Sequence, residues 1–234
     1  MTDSSDIPSQ SGGLNRDMLL NGTVQKQARM RDGSNSTILT TAQLQDSRRQ
    51  FITDDYAGDD IWVFGYGSLI WNPLIDFEER RDGTAFGYHK RFCLKTQIGR
   101  GTPECPGLVL ALDYGGSVKG QLFRISAPKA ARELDVLWKR EMLNASYIPK
   151  WISCVSDGQR IKALGFVIRH DSPAFTERMT DDEVADIISQ ATGFLGPCSD
   201  YLFETEKALL AQGIKDPYLK RLSELVKLRQ EHYK

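Results

Sequence analysis

Ile61-Trp62-Val63-Phe64-Gly65-Tyr66-Gly67-Ser68-Leu69-Ile70 is the stretch that decides how this chain folds. Residues 61–66 form a short apolar and aromatic run, the pattern of a buried strand. The run breaks at Gly65 and Gly67, where a missing Cβ permits backbone angles and close approaches that other residues forbid. Consecutive N–H groups in such a turn can converge on a carboxylate or a developing oxyanion. A purely structural turn has the same appearance, so both readings stand at this point. The stretch is not a dinucleotide fingerprint, because its third glycine and the following helix are missing. Nor is it a phosphate loop, because it lacks the Gly-Lys-Ser/Thr ending.

Downstream, residues 84–94 (TAFGYHKRFCL) mix aromatic and basic residues and read as a strand. Residues 108–112 and 118–125 flank Tyr114-Gly115-Gly116-Ser117, which reads as a β-hairpin turn. Residues 151–155 and 161–168 flank Asp157-Gly158, a second hairpin signal. Helical periodicity appears over 130–142, with Ser126 as a cap and Pro128 in the first turn. Thr180 and Glu183 form a capping box for a helix over 184–191 that Gly193 stops. Two more helices are expected, over 199–212 before Gly213 and after Asp216-Pro217. Strands come first, helices mostly follow, and two hairpins favour antiparallel pairing, so the class is α+β.

The chain has 234 residues, 30 Lys and Arg against 31 Asp and Glu, and a net charge of -1. This balance gives no electrostatic pull onto nucleic acid or anionic lipid. No apolar run of about 20 residues marks a membrane span. The polar start MTDSSDIPSQ lacks the order of a secretory signal, so the cytoplasm is expected. Cys93, Cys105, Cys154 and Cys198 are widely spaced, and His89, His170 and His232 are scattered. No metal site is expected, and the thiols should be reduced. Residues 1–36 are polar and lack strong apolar periodicity, so they read as a mobile tail, with a short helix over 40–51. The division is therefore an N-terminal extension, 1–59, and a folded domain, 60–234.

One carboxylate stands apart. On the helix at 130–142, Leu134, Leu137, Trp138, Ala130 and Ala131 share a stripe about 120° wide, and Glu141 falls about 20° from its centre. Arg132, Glu133, Asp135, Lys139 and Arg140 fall outside it. A carboxylate turned toward a core must be paired, reach water at the helix end, or line a cavity. In a cavity, desolvation raises its pKa toward the range a general base needs. Arg91 and Arg100 are further candidates, since a guanidinium can fork onto a substrate carboxylate. Tyr201, at a helix start after Gly196-Pro197, can present its hydroxyl to a ligand or sit half-buried in the core.

Together these parts are more specific than any one of them. Trp62-Val63-Phe64-Gly65-Tyr66-Gly67-Ser68-Leu69-Ile70-Trp71 resembles the opening motif of the ChaC family of γ-glutamylcyclotransferases. Arg100-Gly101-Thr102-Pro103 with Pro106-Gly107, Trp138-Lys139-Arg140-Glu141 and Asp200-Tyr201-Leu202-Phe203 follow in the family's order. The resemblance spans 61–233. It implies a small closed mixed β-barrel flanked by helices. It implies glutathione as substrate, 5-oxoproline and cysteinylglycine as products, and no cofactor or metal. It makes Tyr66-Gly67-Ser68-Leu69 the γ-glutamyl-binding loop, Glu141 the catalytic acid–base group and Tyr201 a neighbour of the substrate, and the flanking Gly65 and Ile70 are counted with the loop as substrate-binding candidates. Two departures stand out: the long N-terminal extension, and Met142-Leu143-Asn144 in place of the glycines that follow the glutamate in many animal members. Two other functions fit the same residues: cyclisation of other γ-glutamyl peptides or amines, and a non-catalytic γ-glutamyl-binding module.

Overall fold

The computed structural model describes residues 13–32, 37–53 and 58–232. Five strands form a closed barrel: β1 (Ile61–Gly65), β2 (Glu79–Thr96), β3 (Gly107–Ile125), β4 (Tyr147–Ser156) and β5 (Gln159–Ile168). Their spatial order is β1-β3-β2-β4-β5. β1 pairs antiparallel with β3, Phe64 facing Leu122, and parallel with β5, Val63 facing Leu164. The β1–β5 pairing closes the barrel, and β3 makes an additional parallel contact with β5 at Leu112 and Val167. The barrel is thus mixed, and the α+β class follows.

β1 is buried almost throughout because elements pack on both of its faces. Phe64, Leu110 and Leu122 form one apolar cluster with Val184, Leu202 and Leu222 of α5 (Asp181–Gln190), α6 (Cys198–Ala211) and α7 (Pro217–His232). Val63, Phe123 and Phe166 form another with Leu134 and Trp138 of α4 (Ala127–Glu141). The β4–β5 hairpin turns on Asp157 and Gly158 at φ 47° and 76°, the left-handed pair a two-residue hairpin needs. Thr180 and Glu183 form the expected capping box of α5. Ser126 precedes α4 as expected, but its hydroxyl donates to Glu78 at 3.1 Å instead of capping the helix. A short two-stranded sheet, β6 (Thr192–Gly193) with β7 (Gly196–Pro197), joins α5 to α6.

The hairpin expected at Tyr114-Gly115-Gly116-Ser117 does not form. Residues 107–125 are one strand, paired with β2 from Thr96↔Gly107 to Glu79↔Arg124. Gly115 and Gly116 have φ 100° and 75°, and Gly87 on the partner strand has φ 82°. The register shifts between Phe86 and Tyr88. These glycines bend a long ribbon; they do not reverse it, because β2 offers ladder partners on both sides of the irregularity.

The N-terminal extension also departs from expectation. The helix near 40–51 is present as α3 (Thr41–Phe51), capped by Thr40 and Gln43. Residues 1–12 and 33–36 lie outside the described residues. The rest of the supposed tail forms α1 (Arg16–Leu20) and α2 (Thr23–Asp32), which dock on the body. Leu19, Val24 and Leu44 join the α4 cluster. Arg16 forks onto Glu133 of α4, with both N–O distances at 2.6 Å. The anchoring consists of apolar contacts, ion pairs and hydrogen bonds to residues far along the chain, such as Arg16 with Glu133 and Ser47 with Trp138, which local periodicity does not show.

Candidate active site

β1 ends in the glycine turn, and the turn lines a cavity of about 210 Å³. The Gly67 carbonyl accepts from the Ile70 N–H and the Ser68 carbonyl from the Asn72 N–H, both at 2.9 Å. Among the described residues, none accepts from the N–H groups of Gly67, Ser68 or Leu69. Three donors therefore sit in the turn without an internal partner, the arrangement that suits an anion. Position 67 must be glycine for a steric reason as well. A Cβ there would come within 2.8 Å of the Tyr201 hydroxyl. Tyr201 cannot retreat easily, because its ring lies edge-on against both Trp71 and Phe92.

Glu141 is the last residue of α4 and lines the same cavity. Leu134, Leu137 and Trp138 are buried as the helical stripe requires, and this aims Glu141 inward. Only 15% of its side chain is exposed. Burial raises its carboxyl above the ordinary value of 4.5, and the Arg140 guanidinium opposes part of that rise. Arg140 Nε lies 3.0 Å from Glu141 Oε1 and is the carboxylate's only partner among the described residues.

Arg140 itself was not legible as a site residue. The helical wheel puts it outside the apolar stripe, yet its side chain is only 6% exposed. It donates to Ser68 Oγ at 2.8 Å, to the Pro73 carbonyl at 3.3 Å and to the Asn72 carbonyl. One guanidinium thus fixes the glycine turn and the carboxylate relative to each other. The available signal was the pairing rule itself: an inward-facing glutamate needs a partner, and an arginine is its chain neighbour. Glu133 was misplaced for a related reason. It is 1% exposed because α1 covers that face of α4.

Three buried phenols complete the walls. Tyr66 donates to the Phe166 carbonyl at 3.1 Å and Tyr147 to the Leu110 carbonyl at 3.3 Å. Burial raises the pKa of Tyr66, Tyr147 and Tyr201, with the Glu141 charge adding to the rise, so all three are neutral. Arg100 reaches the cavity from the Gly and Pro loop and donates to the Pro197 carbonyl at 3.1 Å. Gly101 makes this loop possible, since a Cβ there would lie 2.2 Å from the Gly107 nitrogen.

The cavity therefore gathers Tyr66, Gly67, Ser68, Leu69, Arg100, Glu141 and Tyr201. Three expected residues lie elsewhere. Gly65 packs where a Cβ would be 2.9 Å from the Phe123 ring. Ile70 is 3% exposed in the apolar core. Arg91 is taken by Asp113 at 2.9 Å, donates to the Thr176 carbonyl, and lies over the Phe175 ring, so it has no guanidinium free for a substrate. The cysteines are free thiols. Burial pushes Cys93 and Cys154 up to about 12 and Cys198 up to about 11, which leaves these three inert as nucleophiles near neutrality. Among the described residues, no group of three or more His, Cys, Asp or Glu is placed to hold a metal ion.

The family described as "ChaC-like protein" matches residues 61–229. The chain belongs to the ChaC family. A glutathione-specific γ-glutamylcyclotransferase of Escherichia coli strain K12 is 39% identical over 168 residues, covering 71% of this chain and 73% of that protein. The Homo sapiens glutathione-specific γ-glutamylcyclotransferase 1 is 29% identical over 69% of this chain and 75% of its own length. A crystal structure of a yeast γ-glutamyl cyclotransferase specific to glutathione superimposes with a TM-score of 0.70 at 24% identity. It covers 74% of this chain and 98% of that one. The closed barrel is thus the fold that the sequence motifs implied. No helix among the described residues is long and apolar enough to cross a membrane.

Proposed function

We propose that this chain is a glutathione-specific γ-glutamylcyclotransferase in which Glu141 carries the proton. The observation behind this is a single buried carboxylate facing a turn with three unpartnered N–H groups, in a chain whose relatives bear that activity by name.

The reaction closes a ring within one molecule. The γ-glutamyl α-amine attacks its own γ-carbonyl carbon, and the amide bond to cysteinylglycine breaks. Because nucleophile and electrophile are already tethered, the site mainly has to hold the folded conformer, and such orientation can be worth about 7–11 kcal/mol. The α-ammonium cannot attack until it loses a proton. Glu141 accepts that proton through the oxygen that Arg140 leaves free. As the tetrahedral centre collapses, the same carboxyl returns the proton to the departing nitrogen. The ring nitrogen sheds a second proton as the lactam forms, and it too passes to the departing amine, so two protons leave one nitrogen, two reach the other, and the carboxylate is regenerated each cycle.

The Gly67, Ser68 and Leu69 N–H groups bind the α-carboxylate or the oxyanion. Arg100, at the other side of the cavity, suits the terminal carboxylate of cysteinylglycine, which favours glutathione over γ-glutamyl amines that lack it. No covalent nucleophile is required. Four free thiols fit the reducing cytoplasm as the compartment.

The test is to incubate the purified protein with glutathione and then with a panel of γ-glutamyl dipeptides, and to quantify 5-oxoproline by mass spectrometry. Release from glutathione above all others is expected. Release from dipeptides alone would remove the glutathione assignment, and release from none would leave a binding module.

A further inference from the structure

Leu14 lies far outside the family-matched residues, 61–229, yet it lines the same cavity as Glu141. The contacts around it fix its place. The Leu14 carbonyl accepts from Asn72 Nδ2 at 2.8 Å. Arg16 donates to the Leu74 carbonyl at 2.6 Å while it forks onto Glu133. Glu133 also accepts from the Asp76 N–H at 2.8 Å. The segment 72–74 is therefore held from two sides, by the N-terminal extension and by Arg140, which donates to the Asn72 and Pro73 carbonyls. Leu74 adopts φ 55°, a conformation unfavourable for a leucine, and such a residue persists only where its surroundings fix it. At the far end of α2, Arg31 lies 5.1 Å from the Phe194 ring centroid, and Leu195 beside it lines the cavity. The extension thus touches the rim at two separate places.

We propose that the start of the described N-terminal segment, Leu14 to Arg16, is part of the substrate site, with Leu14 forming an apolar wall that selects among γ-glutamyl compounds and the Arg16–Glu133 ion pair locking that wall in place. This rests on the reading of the cavity as a γ-glutamyl site. The physical basis is direct. An apolar side chain at a cavity wall sets how much room the bound molecule has. A carboxylate as buried as Glu133 holds its partner tightly, because releasing it would leave an unpaired charge without water. A docked wall is also pre-ordered, so binding does not have to order it.

The test uses full-length protein and five variants. Leu14→Trp narrows the cavity and raises KM for glutathione about tenfold or more, with kcat within about threefold of wild type. Leu14→Ala widens it and shifts the ratio of kcat/KM for glutathione to that for a γ-glutamyl dipeptide by about fivefold or more. Met30→Ala, at a position 76% exposed on α2, changes neither. Arg16→Ala reproduces the Leu14→Ala change in selectivity, and Arg16→Lys restores part of it. Both Leu14 variants within about twofold of wild type, in KM and in substrate ratio, would overturn the proposal. Wild-type protein that releases no 5-oxoproline from any γ-glutamyl compound is a separate result, and it would overturn the assignment of the cavity itself.

Discussion

Arg140→Gln is the perturbation that separates the structural and chemical roles of the buried ion pair. The guanidinium contacts Glu141, Ser68 and the carbonyls of Asn72 and Pro73. Its removal leaves a carboxylate that is only 15% exposed without its cation. Breaking one partner of a buried pair costs about 3–5 kcal/mol. In a protein of this size each kcal/mol lowers Tm by about 2–4 °C, so the fall should be about 6–20 °C. The chemical effect has a definite sign. Burial raises the Glu141 carboxyl above 4.5, and Arg140 lowers it. Without Arg140 the carboxyl rises further, and less of it is ionised at a given acidic pH. The acid limb of the kcat/KM profile therefore moves to higher pH, and activity lost at low pH returns as the pH is raised. Arg140→Lys keeps a positive charge but loses the fork, so its acid limb should lie between the two. Scanning calorimetry and 5-oxoproline release across pH measure both effects. A variant with wild-type Tm and an unmoved acid limb would refute the reasoning.

Two further outcomes follow from the geometry. Gly67→Val puts branched carbon where even a methyl would lie 2.8 Å from the Tyr201 hydroxyl, so KM for glutathione should rise about tenfold or more. An unchanged KM would count against the turn as the γ-glutamyl cradle. Thr180→Ala removes the hydroxyl that accepts from the Glu183 N–H, which should cost about 1 kcal/mol in chemical denaturation and leave turnover intact.

Features written in local sequence were legible, and features set by distant partners were not. The strand at 61–65, the Asp157-Gly158 hairpin and the α5 capping box each depend on residues a few positions apart. The inward orientation of Glu141 was legible because the apolar stripe of its own helix shows on which face a charge sits. Gly115-Gly116 misled because an isolated glycine pair looks the same in a turn and in a bulge. What decides between them is Gly87 on another strand, together with ladder partners on both sides. The docking of α1 depends on Glu133, 117 residues away from Arg16, and nothing near Arg16 announces it. Arg91 misled because an arginine's capacity for carboxylates does not say which one it will meet, and Asp113 lies closer than any substrate.

The most direct test of the account is Glu141→Gln, in which the amide keeps the shape and can still accept from Arg140 but cannot take up the ammonium proton. In protein that remains folded and binds glutathione, 5-oxoproline release should fall at least about 10²-fold. Release near the wild-type rate would contradict the account, since the proton would then travel by another route.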